Sequence, residues 1–119
     1  AARETRTALI VPELVVGEAF TKLRYDKRVS PRRDAGPALT VLAMVDGNPD
    51  VFSRLAMSST AYGPVRSILE KYRDHAFSFV DAVIFHVVDH HRSIARVLTV
   101  DGMDFRSYRF TRPVDVVTP

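Results

Sequence analysis

The sequence predicts an α/β protein, a parallel sheet flanked by helices. Two observations carry this reading. Short apolar runs bounded by Pro, Gly or Asp alternate with segments of helical periodicity, and strands joined through helices run parallel with both faces covered. The 119 residues, 46% of them hydrophobic, suffice for the core of a single domain over 1–119.

Ala8-Leu9-Ile10-Val11 reads as a short buried strand stopped by Pro12. From Glu13 to about Lys27, Leu14, Val15, Ala19, Phe20 and Leu23 recur at helical spacing. Ser30-Pro31 reads as the N-cap and first residue of a second helix toward Val45, and Gly36-Pro37 early in it leaves the start open. Asp46-Gly47-Asn48-Pro49 is a turn, and Val51–Ala56 a second strand. A helix from Thr60 or Pro64 runs to Tyr72. Ser78 to His91 is the clearest helix, with Val80, Val83, Ile84, Val87 and Val88 forming a broad apolar face. Strand Arg96–Val100, a short helix near Met103–Tyr108 and strand Val114–Val117 follow.

Composition narrows the function classes. No apolar run is long enough for a membrane span. The absence of cysteine excludes disulfides and thiolate zinc sites, and fits the reducing cytoplasm expected as the location. Net charge is +3, and arginine supplies 14 of the 17 basic residues, a lean toward polyanionic partners.

In such folds ligands bind beyond the carboxyl ends of the strands, which draws attention to "VLTVDGMDF" (Val97–Phe105). Asp101 ends a strand, and Thr99 shares its side of that strand. Asp101-Gly102 is also an ordinary turn pair, and Asp104 suits the start of the short helix. Asp81 lies at capping-box spacing from Ser78. It also sits where the helix dipole steadies a carboxylate, as a metal-binding acid needs. Glu18 has Lys22 one turn on, the order of a surface ion pair. Its neighbours Val15, Val16 and Ala19 argue instead for partial burial, where a carboxylate needs a cation, a partner or a proton. His86 and His90 are one turn apart, but no third zinc ligand is signalled beside Asp89 and His91.

Taken in order, "VPELVVGEAFTKLR" (Val11–Arg24), "FSFVDAVIFHVV" (Phe77–Val88) and "VLTVDGMDF" resemble the signature segments of the PIN domain, most closely the VapC toxins of bacterial toxin–antitoxin pairs. The resemblance spans nearly the whole chain and implies a PIN-like three-layer fold. It further implies an acidic pocket of Glu18, Asp81 and Asp101, flanked by Thr99 and Asp104. Asp81, Asp101 and Glu18 would hold Mg²⁺ or Mn²⁺, hard cations that prefer oxygen ligands, within about 8 Å of one another. The implied activity is metal-dependent hydrolysis of RNA phosphodiesters, the metal activating a water and stabilising transition-state charge.

The implied partners are RNA, a cognate antitoxin and a second copy in a homodimer. From residue 1 to 33 there are eight basic against four acidic residues, so Arg24, Arg28, Arg32 and Arg33 are candidate backbone contacts. The family begins with a strand ending in Asp and a helix, and the chain opens instead on Ala1-Ala2-Arg3. The domain is therefore expected to be N-terminally incomplete, lacking a strand-plus-helix unit on the order of 30 residues. Two other classes fit less of the pattern: a non-catalytic PIN-like interaction module, and a receiver-like phosphoacceptor, whose basic partner after a late strand is missing.

Overall fold

The computed structural model describes residues 9–32, 34–100 and 102–119. They form an α/β arrangement of five helices and two short parallel strand pairs, in two compact units, one running to Met57 and one beginning at Ser58.

The first unit holds β1 (Leu9–Pro12), α1 (Glu13–Tyr25), α2 (Gly36–Gly47) and β2 (Phe52–Leu55). β1 and β2 pair in parallel, Leu9 opposite Phe52 and Pro12 opposite Leu55. Such a pair needs a crossover connection, supplied by the packed helices α1 and α2. Pro12 ends the strand as anticipated and stands at the N-cap of α1. That helix stops two residues short of Lys27. Asp26 turns the backbone extended while its N–H still donates to Lys22 O at 2.8 Å.

The second helix begins later than Ser30-Pro31 suggests. The Ser30 hydroxyl donates to the Asp34 carbonyl at 2.6 Å, so it spans a turn instead of capping a helix. Ser30 is buried there. Gly36-Pro37, which left the start open, is where the helix begins, because Pro in the first turn lacks only an N–H that would have no helical partner. Among its members α2 buries Ala38 and Val45, whereas α1 buries none of its own fully.

The second unit opens with a 3-10 turn at Ser59–Ala61. It continues through α3 (Tyr62–Lys71), α4 (Phe79–His90), β3 (Arg96–Leu98), α5 (Gly102–Ser107) and β4 (Asp115–Val117). β3 and β4 are parallel, with Arg96 opposite Asp115 and Leu98 opposite Val117. The strand is shorter than Arg96–Val100, yet the ladder reaches one residue further, since the Thr99 N–H donates to Val117 O at 3.1 Å.

Phe85 is the centre of this unit's core, packed with Val88, Val97, Phe105 and Tyr108. Its ring stacks on Tyr108 with centroids 4.2 Å apart, and Phe77, Phe105 and Phe110 meet it edge-on. Edge-on and offset contacts suit the ring quadrupole and add about 0.5–1.5 kcal/mol per pair beyond area burial. Of the expected apolar face of α4, Val83 and Val88 are buried and Val80, Ile84 and Val87 half-buried, while Ala82 and Phe85 complete it.

Candidate functional site

Asp81 stands at the third position of α4, where the sequence places it. Its N–H donates to Ser78 Oγ at 3.0 Å, and its Oδ2 accepts from the Ser78 N–H at 3.0 Å. The reciprocal bonds satisfy two donors that the helix itself cannot pair. Oδ1 makes no further hydrogen bond or ion pair among the described residues. Oδ2 thus holds the cap on a side chain that stays partly open to solvent.

Thr99 follows β3 and is half-buried, and Asp104 is half-buried in the first turn of α5. Asp101 lies outside the described residues, as does Arg33. Glu18 belongs to the first unit, in the middle of α1, and its side chain is exposed. Among the described residues no ion pair joins it to Lys22, so the surface-pair explanation of this glutamate is not realised. Nor is it buried: its apolar neighbours on α1 are only partly covered. Among the described residues no three His, Asp or Glu side chains gather into a metal-holding group.

A cleft of about 690 Å³ opens in the second unit, lined by Val100, Gly102, Met103, Arg106, Ser107 and Thr118 with Pro119. Val100 follows β3 and Thr118 follows β4, so the cleft lies at the carboxyl ends of two parallel strands. Gly102 does more there than form a turn. It begins α5 and is buried, and a Cβ at that position would collide with Arg106 Nη1 and stand 2.6 Å from Thr118 Cγ2. The missing side chain lets the Arg106 guanidinium lie across the start of α5, where Nη2 donates to Val116 O at 3.4 Å.

The candidate RNA-contacting arginines fare differently. Arg28 is tied to its neighbour Asp26, Nε to Oδ1 at 3.3 Å and Nη2 to Oδ2 at 3.2 Å. These hydrogen bonds hold the Asp26 carboxyl below its ordinary range. Arg24 lies over the Tyr25 ring at 5.3 Å, and Arg32 is exposed.

The string His86–His91 contains a role that the sequence conceals. Asp89 is a structural clasp: its Oδ2 accepts from the Tyr108 hydroxyl at 2.6 Å, and its Oδ1 accepts from the Thr111 N–H at 2.9 Å and from the Thr111 hydroxyl at 3.1 Å. Burial, then the bond to Asp89, pushes the Tyr108 phenol well above its ordinary value. Arg112 adds a second hold, donating through Nη2 to Val88 O and His91 O, each at 2.6 Å, at the carboxyl end of α4. A cation there meets the negative end of the helix dipole. Partners some 20 residues away left no local signal for either interaction.

Compared with models of protein families, with curated proteins and with solved structures, the chain matches none.

Proposed function

We propose that the chain is a PIN-like, metal-dependent ribonuclease of the VapC toxin type. The observation that carries the reading is Asp81. A carboxylate opens the late helix with one oxygen committed to the cap and the other without a partner among the described residues, within a chain whose three segments resemble the family's in order. The cleft beyond β3 and β4 supports it, because parallel α/β proteins bind ligands at that end.

The donor set, carboxylates and a hydroxyl, fits a hard divalent cation such as Mg²⁺ better than a soft one. Asp81 and Asp101 would hold it. When bound, such an ion supplies an activated water and charge stabilisation at the phosphorus. The residues themselves have simpler tasks. Ser78 fixes the Asp81 rotamer through the cap, and Arg106 offers a guanidinium at the cleft for a phosphate oxygen. An antitoxin and a second copy are the partners this reading implies, with RNA as substrate.

The test is cleavage of a single-stranded RNA panel by the full chain with Mg²⁺ or Mn²⁺, with EDTA, and with Asp81→Asn and Asp101→Asn. Cleavage that needs the metal and is lost in both variants is the expected outcome. A folded protein that binds RNA or a co-encoded small protein without cleaving would favour the interaction-module reading.

A further inference from the structure

We propose that His86 and His90 form a two-imidazole binding site for a borderline divalent transition-metal ion of the Cu²⁺, Ni²⁺ or Zn²⁺ class. The two residues are one turn apart on α4, and their rings approach to 4.2 Å between centroids with a 47° tilt. Residues at this spacing share a helix face, and two histidines so placed are a recurrent half of helical zinc sites.

A second observation points the same way. His90 Nδ1 lies 2.9 Å from the His86 carbonyl oxygen. A carbonyl can only accept, so Nδ1 carries the proton and Nε2 is left with the lone pair. Donation of the other ring N–H to a backbone carbonyl is the arrangement that orients a metal-ligating histidine and raises its basicity. His91 bonds in the same way to Val87 O at 2.8 Å. Five residues from His86, it lies off the 86–90 row of the helix.

His86 is half-buried and His90 exposed, so the pair is open to solvent on one side. Burial, then the neighbouring His90, lowers the His86 pKa below its ordinary value. Asp89 cannot serve as a third ligand without giving up Tyr108 and Thr111. Water therefore fills the remaining positions. Imidazole suits Cu, Ni and Zn, and affinity should follow Cu²⁺ above Ni²⁺ and Zn²⁺. Mg²⁺, which prefers oxygen, should not compete, so this site is separable from the carboxylate site proposed above.

The test is calorimetric titration of the full chain with NiCl₂ in excess MgCl₂, alongside His86→Gln, His90→Gln and His75→Gln. One Ni²⁺ per chain is expected, weakened at least about tenfold in either of the first two variants and unchanged in His75→Gln. Substoichiometric Cu²⁺ added to wild-type protein should also broaden the His86 and His90 ring resonances before those of His75, a readout that needs no variant. Absence of binding, binding unweakened in both His86→Gln and His90→Gln, or dependence on only one of them overturns the proposal.

Discussion

Ser78→Ala and Asp81→Asn separate the two roles assigned to the opening of α4. Ser78→Ala removes the acceptor that the Asp81 N–H finds at 3.0 Å. Losing such a cap costs about 1 kcal/mol. Asp81→Asn keeps an amide oxygen for the Ser78 N–H, so it forfeits mainly the charge–dipole attraction, about 0.3–1 kcal/mol. Both variants should therefore be mildly destabilised, Ser78→Ala lowering the melting temperature by roughly 4–8 °C and Asp81→Asn by roughly 1–8 °C for a unit of this size. Their chemistry should diverge. Ser78→Ala retains the carboxylate, whereas Asp81→Asn loses a charged ligand and should lower metal-dependent cleavage by at least about a hundredfold. The assay pairs circular-dichroism melts with cleavage of a fluorogenic RNA well below both melting temperatures. Equal activity in the two variants, tracking only the folded fraction, would refute the ligand role and leave Asp81 as a cap.

Asp89→Ala should cost about 2–4 kcal/mol in urea unfolding, since it strands the buried Tyr108 hydroxyl and the Thr111 N–H. Tyr108→Phe removes a single bond and should cost about 1 kcal/mol, so the double variant should fall short of the sum. Gly102→Ala should destabilise by about 1–3 kcal/mol, because the exposed Arg106 guanidinium can swing away but Thr118, whose Cγ2 would lie 2.6 Å from the added methyl, must shift as well. No measurable loss would mean that both neighbours yield freely. Stability should also respond to pH through two groups. The His86 pKa is lowered in the folded state, so its contribution is present above the ordinary value of 6.5 and is lost as pH falls toward the folded value. The Tyr108 pKa is raised, so its contribution is present below its ordinary value of 10.0 and is lost as pH rises above it. Melts of His86→Gln and Tyr108→Phe across pH should flatten the acid and alkaline slopes respectively; unchanged slopes would count against these assignments.

The sequence by itself determined what depends on neighbours along the chain. The Ser78–Asp81 cap needs two residues three apart on helical backbone, so it was legible and correctly placed. The succession of strands and helices followed from apolar periodicity and from Pro and Gly punctuation, and its errors lie at element ends. The start of α2 was misread because Ser30 resembles a cap until its hydroxyl is seen donating to Asp34 O. Only the tertiary structure decided the rest. Glu18 is exposed despite apolar neighbours, since α1 buries no residue fully. Asp89 reads as one more polar residue in a histidine-rich string until Tyr108 and Thr111 come back to it from the far side of β3 and α5. Gly102 reads as a turn until Arg106 and Thr118 occupy the space of its missing side chain. The physical reason is common to these cases. A cap or a period is satisfied within one turn of backbone, whereas burial, clasping and close approach are set by residues that only folding brings together.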